Sequence, residues 1–179
     1  QYTVTVSVDD GVDDTEVSAT VSVFNVAPVL MGPQDTESIE GEVLVLRAQA
    51  EDPGIVPLVW TWAFGDGSNP VTGEDLQEVQ HSFPDDGQYQ VQVSVSDGAS
   101  SSSDTALVTV INRAPDLMQP VDLETDEGRP LLLTAMASDV PADTVTYAWD
   151  FGDGQQDIGE DLLEVSHTYA DDGAYVVTV

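Results

Sequence analysis

The sequence predicts an all-β protein built of tandem β-sandwiches. The first observation is that apolar and polar residues alternate in several short runs of the 179-residue chain, which is typical of half-buried strands. The second is that turn-forming residues, among them 14 Gly and 10 Pro, separate these runs, while no helical stripe and no apolar run of membrane-spanning length is visible. The third observation is an internal repeat.

The repeat is read from motifs that recur in the same order. The residue numbers of Ala27-Pro28 and Ala114-Pro115 differ by 87. The N-terminal run "QYTVTVSVDDG" at 1–11 matches "QYQVQVSVSDG" at 88–98 at the same spacing. Further pairs, at spacings of 86 or 87, are Glu40-Gly41 with Glu127-Gly128, Trp62 with Trp149, His81 with His167, and Tyr89 with Tyr175.

This period defines the expected domain organisation. It is too long for a solenoid unit, which has about 20–45 residues, and it suits a small independent domain. We expect a complete copy at 27–113, the last strands of a preceding copy at 1–26, and a copy without its last strands at 114–179. We also expect the chain to be a window of a longer array. Proline in the linkers "NVAP" and "NRAP" predicts stiff joints.

Period-two alternation places the individual strands. Val4, Val6 and Val8 alternate with polar residues, and the run at 91–95 repeats this pattern. The runs at 17–23 and 106–112 form a second matching pair of predicted strands. Two further strands, Val43–Ala50 and Leu131–Ala137, are expected near the start of each copy.

Aromatic residues indicate how these strands pack. Trp60, Trp62 and Phe64 share one strand face, and "YAWDF" at 147–151 repeats the arrangement. Each is followed by Gly-Asp-Gly, which we interpret as a turn. Downstream, "DDGQYQV" and "DDGAYVV" have the spacing of a tyrosine corner. A buried Trp and a tyrosine corner are typical of immunoglobulin-like sandwiches.

These motifs together resemble the PKD (polycystic-kidney-disease-type) domain family. The resemblance rests on "YAWDFGDG" with "HTYADDGAYVVTV", on "WTWAFGDG" with "HSFPDDGQYQVQVSVSDG", and on the two linkers. It covers the whole chain in phase. One departure is Ala63, which stands where the family and the other copy (Asp150) have aspartate.

The resemblance implies a non-catalytic, extracellular or cell-surface module. We expect a structural or adhesive repeat, such as a spacer, stalk, surface-layer piece or filament component, whose partners are neighbouring repeats or like chains. The alternative is an accessory module of a secreted hydrolase that binds substrate or a surface polysaccharide.

Composition restricts the remaining functions. The formal net charge is −31, with 34 acidic residues against three basic ones. Such a surface repels nucleic acid and anionic lipid and attracts cations. The simplest interpretation of the many acids is that they keep the protein soluble through mutual repulsion. Cysteine is absent, so no disulfide framework can form.

Catalysis is not expected. The two histidines, His81 and His167, occupy one repeat position, whereas an active site needs different groups that converge. The sequence contains neither a nucleophile motif nor a phosphate-binding glycine loop.

The resemblance also implies calcium sites at the ends of the sandwiches. Their ligands would be Asn25, Asp52 and Asp97 in the first complete copy, and Asn112 and Asp139 in the next. The alternative interpretation needs no metal, because Asp97-Gly98 and the equivalent Asp10-Gly11 form good hairpin turns and the two asparagines can cap linkers.

Overall fold

A computed structural model describes residues 1–118 and 121–179, and these residues contain strands and turns but no helix. The all-β prediction is therefore confirmed. Among the described residues there is no helix with the length and apolar character needed to cross a membrane. The strands are β1 (Tyr2–Asp9), β2 (Asp14–Val21), β3 (Val29–Met31), β4 (Thr36–Ile39), β5 (Val43–Arg47), β6 (Gln49–Glu51), β7 (Val59–Ala63), β8 (Val71–Gly73), β9 (Glu78–Ser82), β10 (Gly87–Ser96), β11 (Ser101–Ile111), β12 (Asp116–Met118), β13 (Pro130–Thr134), β14 (Met136–Ser138), β15 (Tyr147–Asp150), β16 (Gln156–Gly159) and β17 (Glu164–Thr168).

The chain separates into two compact units. The first comprises residues 1–34, 45–79 and 90–106, and the second comprises 35–44, 80–89 and 107–179. In the first unit, β1 and β2 form an antiparallel hairpin in which Val4 faces Ala19 and Val6 faces Val17. β3 pairs with β6, and β7 pairs with both β8 and β10, always antiparallel.

In the second unit, three antiparallel pairs build the strands after residue 115. They are β12 with β14, β13 with β17, and β15 with β16. β4 runs parallel to the end of β11, with Thr36 opposite Val108 and Ile39 opposite Ile111.

The predicted periodicity matches burial at β10, whereas both faces of β1 and β2 are exposed. Val91, Val93 and Val95 are fully buried while the residues between them are more exposed, as expected for a strand with one face in the core. The cluster of buried residues in the second unit consists of Leu133, Ala135, Tyr147, Trp149, Phe151, Val165 and Tyr169.

Two sequence predictions of secondary structure are corrected, the strands Val43–Ala50 and Leu131–Ala137. The expected strand Val43–Ala50 is divided at Ala48, whose N–H donates to the carbonyl of Gln77 at 2.9 Å. β5 belongs to a sheet with β9, whereas β6 pairs with β3. The same division occurs at Ala135, whose N–H donates to Leu163 at 2.8 Å. Each segment therefore changes its pairing partner midway, which alternation alone does not reveal.

Candidate functional site

The Phe-Gly-Asp-Gly motif is a turn that allows close approach of backbones. Gly65 and Gly152 have φ of 81° and 77°, in the left-handed region that favours glycine. A Cβ on Gly65 would lie 2.7 Å from the carbonyl oxygen of Gln90, and one on Gly152 would lie 2.6 Å from that of Val176. The motif therefore serves the fold, as the sequence indicated.

The aromatic motif residues are bound into the cores. Trp62 and Trp149 are buried, and their indole N–H groups donate to the carbonyls of Leu76 and Leu162, both at 2.9 Å. Both tyrosine corners are confirmed, because the Tyr89 hydroxyl donates to the carbonyl of Asp85 at 2.9 Å. The equivalent bond from Tyr175 to Asp171 is 3.1 Å.

The histidines also lie among scaffold residues. His167 is buried and stacks on Phe151, with ring centroids 4.0 Å apart. Its Nε2 lies 2.8 Å from Oδ2 of Asp153. The Gln155 backbone N–H, and to a lesser extent the His167 bond, hold the pKa of the Asp153 carboxyl below its usual value. His81 makes an edge-on contact with Phe83 at 4.7 Å.

The structure brings two predicted calcium ligands of the first complete copy together. Asn25 Nδ2 donates to Oδ2 of Asp97 at 2.9 Å. The other Asp97 oxygen accepts the N–H groups of Ala99 and Ser100 at 2.8 and 2.7 Å. The Ser100 N–H, followed by the Asn25 amide, holds the pKa of the Asp97 carboxyl below its usual value. This buried carboxylate is thus surrounded by N–H donors.

The same turn occurs at the equivalent position of the N-terminal hairpin. Oδ1 of Asp10 accepts the N–H groups of Val12 and Asp13 at 3.0 and 2.9 Å. The Asp13 bond is the main cause that lowers the pKa of the Asp10 carboxyl. Both aspartates therefore have the turn geometry that the metal-free interpretation describes, and the calcium assignment stays a prediction.

The remaining predicted ligands have different surroundings. Asp52 accepts the Gly54 N–H at 2.7 Å through Oδ1, whereas its Oδ2 is buried and has no hydrogen-bond partner among the described residues. The Asn112 side chain donates to the carbonyl of Arg113 at 3.1 Å. Asp139 accepts the Val140 N–H at 2.9 Å.

Asp139 also belongs to a carboxylate group that sequence reasoning missed. Carboxylate oxygens of Glu40, Asp139 and Asp143 lie within 4.8 Å of one another, and Glu40 also forms such a group with Asp85 and Asp86. We call these five residues the Glu40 cluster. Burial, followed by the carboxylates of Glu40 and Asp139, raises the pKa of the Asp143 carboxyl.

A sequence signal for this cluster was present in the repeat. Glu127, Asp171 and Asp172 occupy the positions equivalent to Glu40, Asp85 and Asp86, and their oxygens also lie within 4.8 Å of one another. We call these three residues the Glu127 cluster. All three are exposed, whereas Glu40 is fully buried. The recurring Glu-Gly and Asp-Asp-Gly motifs therefore mark a shared acidic turn region.

Comparison with known proteins identifies the fold units. A family model for the PKD domain matches residues 25–111 and 112–179. The chain belongs to the PKD domain family. This confirms the family prediction, and the chain is made of PKD-type immunoglobulin-like β-sandwiches in tandem. The boundaries 1–26, 27–113 and 114–179 stay predictions.

Two curated proteins and one solved structure illustrate what this PKD chain is similar to. It is 28% identical over 171 residues to human polycystin-1, covering 94% of the chain but 4% of polycystin-1. It is 29% identical over 134 residues to chitinase A of Pseudoalteromonas piscicida, covering 70% of the chain and 16% of the chitinase. Sidekick-1 immunoglobulin domains 1–5 match at 19% identity, with a TM-score of 0.39, over 61% of this chain and 25% of that one.

Proposed function

We infer that this PKD chain is a non-catalytic structural repeat of an extracellular or cell-surface protein, in which it acts as a spacer or stalk. The observation that supports this inference is that the tryptophan and histidine side chains pack in the cores rather than form an exposed site. All three tryptophans are buried, and the histidines pack on core aromatics. The charged residues of the chain are 34 acids and three arginines.

A linker held by buried contacts supports the spacer role. Pro28 is fully buried, and its carbonyl accepts the Ser102 hydroxyl. In the second unit, the Arg113 N–H of the following linker donates to Oε1 of buried Glu40 at 2.6 Å. A spacer requires linkers of limited movement, and these two contacts support that role.

The second candidate function is an accessory polysaccharide-binding module of a secreted hydrolase. The similarity to chitinase A is the observation that favours it. Ligand sites generally use accessible hydrophobic and aromatic side chains. The exposed aromatic residues among those described are Tyr2 and Phe24, both before residue 27, so the repeats at 27–179 lack an evident aromatic platform in their described part.

Co-sedimentation with insoluble chitin and cellulose separates the two functions. The 179-residue chain should stay in the supernatant at physiological salt, like an inert acidic protein. Saturable retention that soluble oligosaccharide reverses would contradict the spacer role and support the alternative. Antibody labelling of intact, unpermeabilised cells of the source organism tests the location, and labelling only after permeabilisation would contradict it.

A further inference from the structure

The Glu40 side chain is a buried acid with half of its carboxylate unsatisfied. It is 0% exposed, and Oε1 accepts the Arg113 N–H. Oε2 is buried and has no hydrogen-bond partner among residues 1–118 and 121–179. A buried carboxylate oxygen without a partner is costly, because water no longer solvates its charge.

Other acids rather than bases lie next to this side chain. The half-buried Asp139 and Asp143 form one three-residue group with Glu40, and the exposed Asp85 and Asp86 form the second group with it. Five carboxyl groups in one small region repel one another strongly unless a cation or protons intervene.

The arginines of the chain are engaged elsewhere. The guanidinium groups of the three arginines pair with Glu78, Asp116 and Asp126, none of which belongs to the Glu40 cluster. Lysine and arginine together number three in this chain, and all three are these arginines. None of the three ion pairs therefore provides a positive charge to the Glu40 cluster.

We propose that Glu40, Asp139 and Asp143 bind a calcium ion, with Glu40 Oε2 as the central ligand. Asp85 and Asp86 add negative charge next to the site. This ligand set differs from the Asn112–Asp139 set predicted from sequence, because it takes its central residue from the preceding copy.

A set of carboxylate ligands suits calcium better than magnesium. Ca²⁺ takes about six to eight oxygen ligands in flexible geometry, whereas Mg²⁺ demands near-ideal octahedral geometry and usually keeps several waters. The oxygens of Glu40, Asp139 and Asp143 lie within 4.8 Å of one another, close enough for all three to reach one ion.

The position of the ligands gives the site a role. Glu40 precedes the 112–115 linker in sequence, whereas Asp139 and Asp143 follow it. An ion bound by all three would connect consecutive PKD copies across the linker. Calcium would then stabilise the joint as well as the fold.

The repeat provides a charge-matched control for the test. Glu40→Gln and Glu127→Gln each remove one negative charge from equivalent positions, and Gln at position 40 keeps an oxygen for the Arg113 N–H. Thermal unfolding of the 179-residue chain is measured in chelator, in CaCl₂, in MgCl₂ and in NaCl of matched ionic strength. The NaCl measurement is the control for general screening of the −31 charge.

The wild-type midpoint should rise in calcium by about 5 °C or more above the matched NaCl value, once calcium exceeds its Kd about 100-fold. Glu127→Gln should keep this increment and Glu40→Gln should lose most of it. In chelator, Glu40→Gln should unfold at or above the wild-type midpoint, because repulsion is relieved. Magnesium should give a clearly smaller increment than calcium.

Several results would overturn the proposal. Equal calcium increments in the two Gln variants would mean only diffuse binding to an acidic surface. A pH-dependent midpoint without a calcium-specific increment would mean that the acids share a proton only. An equal magnesium response would contradict the choice of calcium. If Glu40→Gln does not fold, Asp143→Asn must show the same loss, and titration calorimetry of the wild type must show one tight calcium site.

Discussion

The Glu40 and Glu127 clusters are built from the same motifs but have different surroundings. Gly41 N–H donates to the carbonyl of Phe83 and Gly128 N–H to that of Tyr169, both at 2.8 Å, so the local backbone is shared. Glu127 remains exposed, whereas Glu40 is fully buried and bonds through its backbone N–H and Oε1 to Ile111 and Arg113, far along the chain. The turn therefore supplies the acids, and distant contacts convert them into a candidate site.

The largest expected effect tests whether the two copies share one scaffold. Trp62→Ala and Trp149→Ala should each destabilise their own copy by about 3–5 kcal/mol, because each leaves a cavity and frees a buried carbonyl. Urea unfolding followed by far-UV circular dichroism measures the loss. Very unequal losses would show that the scaffolds differ, so the clusters could not be compared directly.

A smaller effect is expected from the glycines that follow each glutamate. Gly41 and Gly128 both have φ of 72°, so alanine should cost about 1–2 kcal/mol at either position. A Cβ on Gly41 would also lie 3.1 Å from Cγ1 of Val140, whereas one on Gly128 meets nothing within 4 Å. Gly41→Ala should therefore cost up to about 1 kcal/mol more.

Paired urea titrations of the two alanine variants measure this difference. Gly128→Ala is the matched control, since it carries the same backbone penalty without the contact. Equal losses would mean that Val140 does not pack against Gly41 in solution.

Asp97 and Asp143 should contribute to the pH dependence of folding stability with opposite signs. The pKa of Asp97 is lowered in the folded state, so its contribution to stability is present above about pH 4 and is lost as the pH falls. The pKa of Asp143 is raised, so without divalent cations its contribution declines as the pH rises from about 4 through the raised pKa.

These signs are tested by the midpoints of thermal unfolding of wild type, Asp97→Asn and Asp143→Asn, measured in chelator between pH 3 and 7. Asp97→Asn should lose most relative to wild type near pH 7, whereas Asp143→Asn should gain there. The two differences should both become small toward pH 3. A loss of stability in Asp143→Asn at pH 7 in chelator would contradict the repulsion described for the Glu40 cluster.

The smallest expected effect concerns Arg113. Its half-exposed guanidinium pairs with Asp116 at 3.2 Å, while its backbone N–H bonds to Glu40. Arg113→Ala keeps the backbone bond, so it should change the free energy of unfolding by about 0–1 kcal/mol and leave the calcium increment intact. A variant that loses the increment would show that the arginine side chain contributes to the cluster.

Local patterns predicted most of the fold. The burial of Trp62 and Trp149, the tyrosine corners and the Gly-Asp-Gly turns depend on spacings within a few residues, and all are confirmed. The division of Val43–Ala50 at Ala48 was missed, because a strand that changes partner keeps the same alternation as one that does not.

The candidate site was only partly predictable. The family resemblance predicts Asp139 as a ligand. It also predicts Asn25 and Asp97 as ligands of one ion, which stays a prediction, although a hydrogen bond joins their side chains. Glu40 was noticed only as a repeat marker, since its sequence surroundings match those of exposed Glu127. Its backbone N–H and Oε1 bond to Ile111 and Arg113, far along the chain, which no local pattern reveals.

The most direct test of the central claim is a crystal structure of this chain grown with calcium, with anomalous data that locate the ion. One ion should be bound by carboxylate oxygens of Glu40, Asp139 and Asp143, and no ordered ion of equal occupancy should be found at Glu127, Asp171 and Asp172. A Glu40 cluster without an ion, with two carboxyl oxygens at the short distance of a shared proton, would contradict it.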